Sequence, residues 1–303
     1  MTIHTPPPDL PAAVSGERLH FDGGAAGPMC CYVAGSGPPL LLVHSVNASA
    51  SAAEVRPLHE HYRATHTVFS VDLPGYGFSL RSDRNYTARL MTDALHAVAA
   101  LVRARLGAAP FDALATSLAC EFLARAAVEA PATFRSLALV SPTGFAGRRP
   151  RRGPPGSTRF VPWLYSALRG PNQRWGLSLF RGLTTPGVIR YFLKRTWGSA
   201  AIDEALWRYD VITTRQPGAE FAPLHFLAAS MFSADISTVY EQLTLPVWVS
   251  HGTRGDFTDY RGLYIVDLRP NWSVDIFQAG ALPFFEVPEL FNAAFDRFLQ
   301  ARP

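Results

Sequence analysis

Residues 111–127 read FDALATSLACEFLARAA, and this stretch decides the fold. Its opening run, Phe111 to Ala115, is apolar but for Asp112, the composition of a strand buried on both faces. From Leu118 to Val128 small and apolar residues recur at helical spacing, and the run ends ahead of Pro131. Ser117 stands between the two halves, with Ala115 and Ala119 two positions to either side. A strand that turns straight into a helix at a serine needs small residues there, because the two backbones approach closely. Such a bend can present a nucleophilic hydroxyl. It can equally be helix capping, since serine is a favoured N-cap residue.

Outward from this bend the same alternation repeats. Further strands are expected at Leu19 to Asp22, Met29 to Ala34, Leu40 to His44, Thr67 to Val71, Ser136 to Val140, Val247 to His251 and Val274 to Gln278. Helices are expected at Tyr86 to Leu106 and Pro288 to Leu299. Strands that alternate with helices predict an α/β fold, a mostly parallel sheet covered on both faces. The alternation stops at Phe145 and resumes near Asp235. The intervening sequence opens with GRRPRRGPPGS and continues with helical, aromatic-rich segments, the composition of a helical lid. The expected organisation is a flexible N-terminal arm (1–17), a core in two parts (18–144 and 236–303) and a helical cap (145–235).

Composition narrows the function classes. The 303 residues are 48% hydrophobic and 17% charged, enough to bury a large core. No segment reaches the roughly 18 uninterrupted apolar residues of a spanning helix, and the N-terminus lacks a basic start followed by an apolar stretch. A cytoplasmic, non-spanning protein is expected. Cys30, Cys31 and Cys120 form an odd set without CxxC spacing, which fits reduced structural thiols. The net charge of +4 comes with no nucleic-acid-binding motif, so no nucleic-acid partner is expected. The charge is uneven, however: residues 145–235 hold 13 Arg or Lys against 5 Asp or Glu, a difference of 13 − 5 = +8. This excess fits a solvated arginine-rich face or a surface that attracts anions or lipid headgroups. Neither a metal nor an organic cofactor is implied, because no cluster has ligand spacing and no phosphate-binding glycine loop opens a helix.

Three further stretches complete a pattern. LLLVHSVNASAS (40–51) ends a strand in His44-Ser45, DLPGYGFS (72–79) follows the next strand as a glycine-bearing turn, and LPVWVSHGTRGD (245–256) delivers an acid after a late strand. With the serine bend, these resemble the α/β-hydrolase superfamily over nearly the whole chain. The resemblance implies an α/β-hydrolase fold with a mostly parallel eight-stranded sheet, helices on both faces and a helical cap insertion. It implies Ser117 as nucleophile, Asp256 as triad acid with Asp259 as runner-up, and the N–H groups of Val46 and Leu118 as the oxyanion hole. Asp256 as a mere helix cap is the structural alternative. His44, Ser45, Asn47 and His225 are expected at the substrate pocket, although Ser45 and Asn47 equally suit the satisfaction of loop backbone. A covered hollow is expected above Ser117.

One position departs from the family. The histidine segment, commonly Gly-His-x-Pro-x-x-Glu, is matched here by AGALPFFEVPELF (279–291), so Ala281 stands where the triad histidine would be. Alanine cannot accept a proton, and a serine without an adjacent base is a poor nucleophile. His44, His225 and His251 are the candidates to replace it, each more readily explained as structural. The resemblance thus implies a divergent serine hydrolase, esterase- or lipase-like, acting on a small molecule with an apolar body and weak on simple esters. The alternative is a non-hydrolytic ligand-binding protein, or a lyase or cyclase, on the same fold.

Overall fold

The computed structural model describes residues 9–301. Eight strands form one sheet: β1 (Glu17–Asp22), β2 (Pro28–Ala34), β3 (Pro39–Val43), β4 (Thr67–Asp72), β5 (Phe111–Thr116), β6 (Phe134–Val140), β7 (Val247–Gly252) and β8 (Trp272–Phe277). Their spatial order is β1-β2-β4-β3-β5-β6-β7-β8. Only β2 runs against its neighbours, and every pairing from β4 to β8 is parallel. All eight strands fall where the apolar runs placed them, with ends moved by one or two residues. The fold is therefore the α/β-hydrolase arrangement the sequence implied.

Strand alternation divides the core in two. Leu41, Val43, Phe69, Val71, Ala113, Ala115, Leu137, Leu139, Val247 and Val249 face one layer. Against it pack α2 (Ala88–Leu106), α3 (Ala119–Glu129) and α9 (Ile236–Gln242). Leu40, Leu42, Val68, Leu114, Ala138, Val140 and Trp248 face the other layer. There the cover is α1 (Arg56–Tyr62), α10 (Pro283–Glu286) and α11 (Pro288–Gln300). Side chains successive along a strand point to opposite faces, so a run such as LLLV must be apolar throughout to serve both layers. Each fully buried Leu, Val or Phe contributes roughly 1.5–3 kcal/mol. Trp248 anchors the second layer, stacked on Phe295 at 5.5 Å with its Nε1 donating to Asp275 at 2.8 Å.

Between β6 and β7 the chain leaves the sheet and forms α4 (Pro162–Arg169), α5 (Gln173–Leu183), α6 (Pro186–Trp197), α7 (Glu204–Thr213) and α8 (Phe221–Leu227) before α9. Helix α3 ties down the end of this insertion. Buried Glu121 accepts from the Thr143 hydroxyl at 2.6 Å and from the Ser233 N–H at 2.8 Å. One turn on, Arg125 pairs with buried Asp235, whose other oxygen accepts from the Gly156 N–H at 2.7 Å. No helix among the described residues is long and apolar enough to cross a membrane.

Candidate functional site

The bend between β5 and α3 holds Ser117 at φ 52°, in the left-handed region that a side-chain-bearing residue enters only at a cost. What holds it is hydrogen bonding on both sides. The Ser117 N–H donates to Val140 on the neighbouring strand at 2.8 Å, and its carbonyl accepts from Cys120 at 3.2 Å as the first turn of α3 closes. The hydroxyl makes no capping bond: the N-cap residue of α3 is Leu118, without a side-chain cap. The capping explanation of this serine is thereby removed. Among the described residues the Ser117 hydroxyl has no hydrogen-bond partner of any kind, histidine or otherwise.

Sheet register places the loop after β3 beside this bend. Val43 pairs with Ala115, so His44–Asn47 and Thr116–Leu118 leave adjacent parallel strands at the same level. Among the described residues the N–H groups of Val46 and Leu118 are not spent on any hydrogen bond. The loop itself is fixed from below by Glu54, which is buried and accepts from the Ser45 N–H at 2.8 Å and the Asn47 side-chain amide at 2.7 Å. Asn47 accepts in turn from the Ser49 N–H at 2.7 Å, and its carbonyl receives the Tyr76 hydroxyl at 3.1 Å. Ser45 and Asn47 thus satisfy the loop's own polar groups. Asp72 secures the neighbouring turn through the N–H groups of Ala52 and Phe78, both at 2.9 Å. Gly77 is required there, since a Cβ at its φ of 50° would collide with the Asp72 carboxylate.

A model of the Alpha/beta hydrolase family matches residues 40–294. The chain belongs to that family. Among solved structures it resembles CarC, a serine hydrolase involved in carbazole degradation, with a TM-score of 0.74 and 16% identity over 95% of this chain and 100% of that one. The carboxylesterase CesB from Bacillus subtilis gives 0.69 and 16% identity over 95% and 93% of the two chains. A 2-hydroxy-6-oxo-6-phenylhexa-2,4-dienoate hydrolase, BphD from Rhodococcus sp. strain RHA1, gives 0.71 and 17% identity over 94% and 100%. At these identities the likeness is one of fold. No curated protein matches the sequence significantly.

The loops after β7 and β8 use their polar groups in contacts with other parts of the chain. Asp256 lies in the loop after β7, where its carboxylate pairs with Arg195 of α6 and its N–H donates to the Arg195 carbonyl at 3.1 Å. The pair raises the Arg195 guanidinium further above its ordinary value. Asp259 is also engaged, with Arg261 and with the Gly147 N–H at 3.0 Å, and Arg261 holds its carboxyl well below the usual range. Ala281 is buried. Its N–H donates to Thr196 at 3.0 Å and its carbonyl receives the Ser141 hydroxyl at 2.6 Å. At neighbouring Gly280 a Cβ would stand 2.5 Å from the Trp197 Cα, so the C-terminal end of α6 rests directly on this loop. The loop after β7 nevertheless stays open to solvent, with Thr253, Arg254, Asp256, Phe257 and Thr258 exposed.

None of the three candidate histidines is poised as a base. His44 is buried, with Nδ1 on the Ser45 carbonyl at 2.5 Å and Nε2 accepting from the Leu73 N–H at 2.9 Å. Both ring nitrogens are occupied, which fixes one neutral tautomer, and burial pushes its pKa down to about 4. His225 of α8 stacks on Tyr165 at 4.1 Å with Nδ1 3.3 Å from the Ser230 hydroxyl, and burial lowers it to about 4. His251 at the end of β7 stacks on Tyr260 at 3.8 Å and turns Nδ1 to the Gly252 carbonyl at 3.0 Å. Burial lowers its pKa too.

Two cavities lie elsewhere in the molecule. A cleft of about 490 Å³, lined by residues including Pro38, Tyr62, Arg135 and Asp296, lies at the opposite, amino-terminal edge of the sheet. The other is a gap of about 10 Å³ between Ser49, Tyr76 and Thr213, on the scale of a single water. Among the described residues, no group of three or more His, Cys, Asp or Glu could hold a metal ion.

Four residues that shape this region escaped the sequence reading. Glu54 carries a signal, a lone acid within SASAAEV. Arg195 and Asp210 carry none, because their partners are distant in sequence. Asp210 of α7 is buried with one carboxyl oxygen unpartnered among the described residues, and burial beside Glu54 pushes its pKa well up. Glu121 looked like an ordinary helix residue.

Proposed function

We propose that this chain is a divergent serine hydrolase acting on a small, largely apolar acyl compound, with residues 145–235 as its cap and the cytosol as its location. Ser117 is the nucleophile. Its oxygen attacks the acyl carbonyl, the hydroxyl proton passes to water, and the resulting oxyanion is received by the Val46 and Leu118 N–H groups. Collapse of this tetrahedral intermediate breaks the bond to the leaving group, which takes a proton from water, and leaves an acyl-serine that a second water hydrolyses to the free acid and Ser117. Because Ala281 supplies no base, the first step runs far below the rate of a complete triad.

The observation that carries this reading is the left-handed serine with its unspent hydroxyl. A residue held at φ 52° costs stability, and such strain persists where surrounding structure enforces it, most often at functional sites. Two unspent backbone N–H groups beside it are the donor pair that a developing oxyanion requires. Apolar acyl groups suit an insertion rich in aromatic side chains, as the Tyr165–His225 stack at 4.1 Å illustrates.

A second reading, binding without turnover, is favoured by the Asp256–Arg195 pair, which commits the acid position to holding the cap. Hydrolysis of a panel of p-nitrophenyl esters separates the two. Slow release that rises with acyl chain length and disappears in Ser117→Ala supports the hydrolase. Release equal in the protein and in Ser117→Ala supports binding alone.

A further inference from the structure

We infer that the outer face of the insertion is a docking surface for an anionic lipid bilayer. From Ala146 to Ile202 the sequence contains no Asp or Glu and 11 Arg or Lys. The aromatic side chains of the same stretch are not all used in packing: Trp163 is 72% exposed, Trp175 54%, Tyr191 53% and Phe192 54%.

Helix α5 shows how the two properties combine. Gly176 and Phe180 face inward and are buried, whereas Arg174, Trp175, Ser178 and Arg181 form one exposed stripe. On the adjoining α4 Trp163 is exposed, and Tyr191, Phe192 and Lys194 are exposed on α6. Arg174, Arg181 and Lys194 have no salt-bridge partner among the described residues, unlike Arg169, Arg190 and Arg195. An aqueous surface gives no reason for half-exposed indoles among unpaired cations. The headgroup region of an anionic membrane gives one, because tryptophan seats its ring there while arginine and lysine meet the lipid charge. Complementary charge selects an anionic bilayer over a neutral one. The aromatic bodies select a bilayer over nucleic acid, whose grooves would not require so much exposed apolar surface without a reading motif.

The test is co-sedimentation of the full chain with vesicles of phosphatidylcholine alone or with about one third phosphatidylglycerol. The expected result is pelleting with the anionic vesicles only, weakening as salt rises, with a blue shift of tryptophan emission. Arg174→Glu with Arg181→Glu should reduce partitioning by about tenfold or more. Trp163→Ala with Trp175→Ala should weaken binding at unchanged charge, and circular dichroism confirms that both double variants are folded. Equal partitioning to neutral and anionic vesicles, or none to either, overturns the inference. So does a solution dimer that dissociates in the tryptophan variant, which would assign the face to a second copy. Binding of duplex DNA or RNA that exceeds vesicle binding and is lost in the arginine variant overturns it as well.

Discussion

The Ala281 N–H donates to the Thr196 carbonyl at 3.0 Å, fastening the end of α6 to the loop after β8. Together with Asp256–Arg195, this bond fastens α6 to the loops after both β7 and β8. Both positions anchor the insertion.

Restoring a histidine alone therefore should not restore a relay. Ala281→His is expected to leave the esterase rate within a few-fold of the starting protein, because Asp256 remains paired with Arg195. Ala281→His with Arg195→Ala frees the acid, and an added general base is expected to raise the rate by about a hundredfold. Steady-state kinetics on one activated ester checks both variants. A full gain in the single variant would show that the pair with Arg195 does not matter.

Replacing the strained serine should stabilise the protein. At φ 52° glycine pays no Cβ penalty, so Ser117→Gly is expected to gain about 1 kcal/mol while Ser117→Ala gains none. Urea unfolding of the three proteins measures this. Equal stability of all three would mean that the bend is not strained.

The tether between α3 and the insertion should be costly to break. Arg125 and Asp235 are 11% and 5% exposed, and Arg125→Ala leaves the Asp235 carboxylate buried with only the Gly156 N–H. The expected loss is about 3 kcal/mol, since an uncompensated buried charge remains. Protease cleavage within 145–160 should rise in parallel. A loss of only a few tenths would place the pair in effective contact with water.

Acid should weaken the fold through His44. Its folded pKa of about 4 lies below the ordinary value of 6.5, so the unfolded chain binds the proton first as pH falls. The contribution is complete above pH 6.5 and declines as the pH drops toward 4. His44→Gln should flatten the stability slope across that window relative to the original protein; carboxylates titrate in both and cancel. Parallel slopes would show His44 to be solvated.

Most of the fold was legible because strands buried on both faces must be apolar throughout, as LLLV and LALV are. The serine bend was legible because strand, small neighbours and helix are contiguous in sequence. The far side of the site was not. Asp256 looks like a triad acid in LPVWVSHGTRGD, and only the fold reveals that Arg195, 61 positions away, has taken it. The seating of α6 against Gly280 was equally hidden, since the two are far apart in sequence. The histidines were readable as structural, but their partners, Leu73 and Tyr260 among them, were not.

The most direct measurement is the rate at which a fluorophosphonate probe phosphonylates the protein as a function of pH. The account predicts slow, stoichiometric modification of Ser117, absent in Ser117→Ala and without an inflection between pH 6 and 8. Rapid modification that titrates with a group of histidine-like pKa would contradict it, because a base would then be activating the hydroxyl.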